Sequence, residues 1–171
     1  MQTVSTPQLD LLDVNFGDPV TPEPELIALP SLRPGEPPIR LLGYPLETVL
    51  AEKIATAIAL GPANTRVRDY ADVYTLTGTH SVTHTAARSA LLATAAHRQV
   101  DVVPLSSAIG NLVELRTGTY SAYRAGLGSD GQTLPTDFEI VVRAVVAFAD
   151  RLAVDSGSLQ RWNRHGRRWE G

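Results

Sequence analysis

A single lysine, Lys53, stands among fourteen arginines in this chain, and its neighbours turn its position into a chemical question. If Pro45–Leu60 form a helix, then at 100° per residue Leu46, Val49, Leu50, Ala57 and Leu60 all fall within about 60° of it. A lone ammonium in an apolar stripe is costly unless it snorkels to water or meets an anion. That anion can be a structural carboxylate or a bound phosphate, for which a lysine is a compact point charge. Asp69 raises the same question on the next expected helix. Asp72, Val73 and Leu76 follow it at i+3, i+4 and i+7, and Arg66 sits one turn back. The helix dipole and an Arg66–Asp69 ion pair would explain this carboxylate without any chemistry, and so would a functional role. Asp13 is a third case, because acids are disfavoured in strand interiors unless they face solvent or an edge. Taken together, the three groups suggest an anion or metal–anion site. Mg²⁺ takes carboxylate oxygen, so a metal–triphosphate would fit.

The elements that must position these groups are legible in outline. Leu9–Phe16 reads as a strand ended by Gly17-Asp18-Pro19, with Leu12, Val14 and Phe16 on one face. Seven prolines between residues 19 and 38 imply an extended connection with a short strand at Glu25–Leu29. Ile39–Gly43 is a further strand. Pro45 opens a helix that Gly61-Pro62 stops. Thr65 is the expected N-cap of the helix carrying Asp69, and Ser81 that of a third helix over residues 83–98. Residues 105–127 suggest one or two short helices broken by Gly110, Gly118 and Gly126, followed by a loop at Gly128–Gly131. Thr136 with Glu139 forms a capping-box pattern. Phe138, Val141, Val142, Val145 and Phe148 then mark the buried face of a last helix. The order implies an α+β fold, with residues 1–44 a β portion and 45–171 a helical portion of one compact domain.

Composition narrows the function classes. The chain has 171 residues and no cysteine, which excludes disulfide frameworks, cysteine zinc sites, iron–sulfur clusters and thiol catalysis. No apolar run approaches the roughly 18 residues a transmembrane helix needs, and the first residues lack the pattern of a secretory signal. A cytoplasmic protein with no membrane role is therefore expected. Net charge is −3, yet residues 161–171 hold four arginines against Glu170. Only the tail thus has the charge of a nucleic-acid contact.

Three runs in order carry a resemblance: Asp13–Asp18 with Pro22, Tyr44–Lys53, and Asn64–Asp72. They resemble the AbiEii/AbiGii toxins, MenT-like nucleotidyltransferases of bacterial toxin–antitoxin pairs. Arg98–Leu105 and the Trp162…Trp169 ending are similar too, so the likeness covers most of the chain. It implies a polymerase-β-like nucleotidyltransferase sheet followed by a helical half. It also implies transfer of nucleotides from an NTP, with Mg²⁺, to RNA, in studied relatives the 3′ end of tRNA, under control of a cognate antitoxin. On the matching positions it makes Lys53 a catalytic, phosphate-binding lysine and Asp69 the essential aspartate. Arg66 and Arg68 become nucleotide-binding residues, and Asp13 a metal ligand. Arg68 stands where the family usually has lysine.

The family's first motif, a Gly-Ser turn before two alternating aspartates, should precede Asp13, and the twelve residues there do not hold it. Gly128-Ser129-Asp130 lies downstream and cannot replace it. Two-metal phosphoryl transfer needs several carboxylates. Three expectations therefore stand together: the strands come from another chain, the gene starts upstream, or the protein binds nucleotide, RNA or antitoxin without turnover. A missing flanking strand would also leave a β edge open to a second copy. His80 and His84 have metal-ligand spacing but no third ligand nearby. The C-terminal tryptophans are expected to pack on the helical core, with RNA contact by the arginines secondary.

Overall fold

The computed structural model describes residues 20–154 and 159–171. The strand read at Leu9–Phe16, and Asp13 with it, lie outside the described residues. Strands β1 (Glu25–Leu29) and β2 (Ile39–Gly43) pair antiparallel with Ile27 opposite Leu41. Six helices follow among the described residues: α1 (Leu46–Leu60), α2 (Val67–Thr79), α3 (His84–Arg98), α4 (Leu105–Ala108), α5 (Leu112–Gly126) and α6 (Phe138–Ala153). A second antiparallel pair, β3 (Arg161–Asn163) and β4 (Arg168–Glu170), closes the chain. The expected α+β class holds, with helices dominating the middle and C-terminal part. None of these helices is long and apolar enough to cross a membrane.

Helix α6 organises the core, packing against α2, α5, α3 and α4, while α1 lies along α3. Its predicted face is the observed one: Phe138, Val141, Val142, Val145 and Phe148 are all buried. Burial of each such large side chain contributes roughly 1.5–3 kcal/mol. Tyr120 stacks on Phe138 at 4.7 Å, and the edge of Tyr70 meets the same ring at 5.9 Å. These contacts fix α2 and α5 against α6.

The caps differ from the sequence reading in three places. Thr65 does not cap α2. Instead the Asn64 side chain accepts from the Arg66 amide at 2.8 Å, because an asparagine two residues ahead closes a tighter turn. At α3 the cap is Thr83, which accepts from Ala86, and the Ser81 hydroxyl is drawn away to the Trp162 carbonyl. At α6 Asp137 accepts from Glu139 in place of Thr136. Gly118 does not break α5, since it lies on an exposed face with open space around it. The loop read at residues 128–131 contains a 3₁₀ turn over Asp130–Thr133.

Two details bring α1 and α2 together. Gly61 adopts φ +52°, and a Cβ there would meet the Ala108 carbonyl at 2.9 Å, so only glycine makes this reversal without strain. Arg116 of α5 then donates to the Asn64 carbonyl at 2.8 Å and to the Ala63 carbonyl at 3.2 Å, holding the turn that precedes α2.

Candidate functional site

The buried face of α1 is centred on Leu50, Ala51, Ile54 and Ala55, not on Lys53. Leu60, expected in the stripe, is exposed. Lys53 therefore lies about 130° round the helix from the centre of the core face, beyond its Leu50 edge, and its ammonium reaches out along α2. There it meets Asp72 Oδ2 at 2.8 Å and Asp69 Oδ1 at 3.1 Å. Asp69 occupies the third position of α2, where the amide dipoles favour a carboxylate, and its side chain is only 6% exposed. Arg66 Nε lies 2.7 Å from Asp69 Oδ2. That contact is an ion pair by distance but lacks hydrogen-bond alignment, so among the described residues Oδ2 has no hydrogen-bond donor. Arg68, largely exposed, stands 3.8 Å from Asp72.

Burial alone would lower the Lys53 pKa, but hydrogen bonds to Asp72 and Asp69, with their charges, outweigh it and leave the ammonium above the usual lysine range. The ion pair sits directly on packed core. The gap beneath it, between Ile54, Ala57, Tyr70, Val73 and Val145, has no room for a water. Beside it Tyr70 is buried, and neither its hydroxyl nor Asn64 Nδ2 makes an aligned hydrogen bond among the described residues. Burial pushes the Tyr70 phenol well up, the neighbouring Asn64 amide opposes this, and the Asp69 charge adds to it. Tyr123 of α5 is a neighbour that sequence reading missed. Burial raises its phenol, Asp72 acts in the same direction, and Arg68 and Lys53 oppose. No local signal could have placed it, because it reaches the site from a helix fifty residues downstream.

A polar cavity of about 240 Å³ opens on the other side of Lys53, bounded by Glu52, Thr56, Arg66, Asp69 and Arg98. A larger cavity, about 580 Å³, lies elsewhere, between α6 and the α4–α5 segment, with Ile109, Val113, Val142 and Val146 among its lining. Size and chemistry thus point to different places. The smaller cavity holds the charged groups that binding or transfer of an anion requires. His80 and His84 do not form a pair: His80 bonds to Thr79, while buried His84 bonds to the Arg151 carbonyl at 3.0 Å.

The described carboxylates do not fit a bound divalent cation. Asp69 and Asp72 are already neutralised by Lys53, with Arg66 and Arg68 close by, and among the described residues no three metal-ligating side chains gather. A cation placed there would share its oxygens with an ammonium about 3 Å away.

A lysine clamped by two aspartates of the next helix, on an α+β scaffold, defines a charged site facing a polar cleft. The family model described as "Nucleotidyl transferase AbiEii toxin, Type IV TA system" matches residues 4–153. The chain belongs to this nucleotidyltransferase toxin family, which implies an NTP substrate and a cognate antitoxin. No curated protein and no solved structure matches it.

Proposed function

We propose that this protein transfers a nucleotide from an NTP to an RNA acceptor, the 3′ end of tRNA, as a cytoplasmic MenT-like toxin. In this reading residues 1–44 complete a polymerase-β-like sheet and residues 45–171 its helical half, within one domain. The observation that carries it is the Lys53 ammonium at the rim of the polar cavity. A lysine has three N–H donors, and Asp69 and Asp72 take two of them. The third is the one available to a phosphate.

The acceptor's 3′ hydroxyl attacks the α-phosphorus. A new P–O bond forms, the bond to the β-phosphate breaks, pyrophosphate leaves, and the hydroxyl proton departs to base or water. Lys53 neutralises the phosphates, with Arg66 and Arg68 in support. Asp69 Oδ2, lacking an aligned donor, accepts from the attacking hydroxyl and orients it or takes its proton. Mg²⁺ accompanies the NTP, and Asp13 is the carboxylate proposed to meet it. The steps assigned to Lys53, Asp69, Arg66 and Arg68 do not run through the ion.

The test is transfer of label from each α-labelled NTP to total tRNA by the full chain with Mg²⁺. Lys53→Met and Asp69→Asn should each reduce it by roughly 10²–10³-fold. Undiminished labelling in both variants overturns these roles. NTP binding by the wild type without labelling supports instead a family member that binds without turnover. The exposed Leu26, Leu29, Ile39 and Leu42 of the β1–β2 hairpin further support pairing of that hairpin with a second copy. A monomeric mass by light scattering across concentrations would contradict it.

A further inference from the structure

The cavity of about 580 Å³ between α6 and the α4–α5 segment takes no part in nucleotide transfer, yet its walls are firmly built. Asp150 of α6 accepts from the Ser106 amide at 3.0 Å and so pins α4 to α6. Gly110 turns the chain into α5 at φ +50°, where a Cβ would press on the Pro62 ring at 3.1 Å. Ile109, Val113, Val142 and Val146 form an apolar floor. Ile109 and Val142 are buried, while Val113 and Val146 keep part of their surface open. Ile140, 52% exposed, and the small, exposed Ala147 carry the apolar strip along the outward side of α6. Around the floor stand Glu114 of α5 and Glu139 and Arg143 of α6, all exposed. Glu139 precedes Arg143 by four residues, the order that favours an ion pair along a helix. Even so, none of these three side chains has an ion-pair or hydrogen-bond partner among the described residues. A rim of one sign would call for a partner of the opposite sign. This rim carries both signs, unpaired, around one apolar strip, which makes the surface complementary to itself under a twofold rotation.

We propose that this groove is a twofold interface between two copies of the chain, in which Arg143 of each copy pairs with Glu114 and Glu139 of the other over the joined apolar floors. It contains no residue of β1 or β2, so it is a different surface from the hairpin face. It stands independently of the nucleotidyltransferase reading.

The test is sedimentation equilibrium of the full chain over a wide concentration range, with circular dichroism to confirm the fold of each variant. The wild type should associate reversibly, at least to a dimer. Arg143→Glu makes the rim wholly acidic, Glu114→Arg with Glu139→Arg makes it wholly basic, and each should weaken self-association by about 10- to 100-fold. Mixed in equal amounts, these two variants should pair at least as tightly as the wild type, a recovery that a change within one copy cannot produce. Arg143→Gln should weaken the dimer by several-fold only. Leu26→Lys with Leu42→Lys disrupts the hairpin face and should leave a dimer in place. A wild type that stays monomeric overturns the proposal. So does a dimer that Leu26→Lys with Leu42→Lys dissolves and the charge reversals do not, and so do reversed variants that fail to pair on mixing.

Discussion

The two ends of α2 use the same residue types for opposite ends. At its C-terminus Arg164 donates to the Thr79 carbonyl at 2.8 Å, Arg167 to the Tyr74 carbonyl at 3.0 Å, and Trp162 Nε1 to the Thr77 carbonyl at 2.8 Å. Arg167 also covers the Tyr74 ring at 3.6 Å. Cations beside the last carbonyls of a helix are where the dipole favours them. Trp162 is fully buried, with Phe148 at 5.0 Å and Trp169 at 5.3 Å. These donors are spent on backbone, which makes the end a clasp. At the N-terminus Lys53 and Arg66 meet side-chain carboxylates beside an open polar cavity, and the buried Asp69 Oδ2 there has no aligned hydrogen-bond donor among the described residues. An end whose polar groups are consumed holds the fold. An end where capacity is left over is where a ligand can bind.

If this contrast is sound, substitutions at the two ends must separate. Asp69→Asn should have the largest effect, about a 10²–10³-fold loss of nucleotide transfer with the fold retained, read as labelling rate beside circular dichroism. Trp162→Ala should do the reverse, costing about 3–5 kcal/mol in urea unfolding while transfer per folded molecule is preserved. Lys53→Met removes the partner of a mostly buried carboxylate and should cost about 2 kcal/mol, between the surface and fully buried limits. Its signature is the pH profile. The folded-state Lys53 pKa is raised, so its stabilisation is whole below the unfolded value near 10.5 and is lost as pH rises through the folded one. The variant should therefore flatten part of the alkaline fall in unfolding free energy. Tyr70→Phe should have the smallest effect, no more than about 1 kcal/mol and stabilising, because it deletes a buried hydroxyl without an aligned partner. The Tyr70 phenol is also raised, so this variant too should trim the alkaline fall. A Tyr70→Phe chain that unfolds several kcal/mol more easily would show that the hydroxyl is satisfied.

Much of the scaffold was legible because it is local. Phe138 to Phe148 repeat at helical spacing, and proline and glycine punctuate α1, so those elements follow from periodicity and backbone chemistry. Caps were less legible, since Asn64, Thr83 and Asp137 each compete with a neighbour able to accept the same amides. The C-terminal hairpin was missed as a strand pair because each strand is only three residues long, and β3 is held in place by the Val82 carbonyl and the Thr83 bridge some eighty residues away in sequence. The site divides in the same way. Lys53, Asp69, Arg66 and Arg68 stand out by residue type and by resemblance. Asp72 as the nearer anion of Lys53, Tyr123 beside it and Arg98 across the cavity do not.

The sequence by itself determined which residues were anomalous, a solitary lysine and acids beside apolar neighbours, because burial preference and helical period are properties of the chain alone. Only the tertiary structure decided where the lysine's charge goes. Lys53 and Asp72 lie nineteen residues apart on different helices, and their 2.8 Å contact depends on the Gly61 reversal and the Arg116 brace, which bring α1 and α2 side by side.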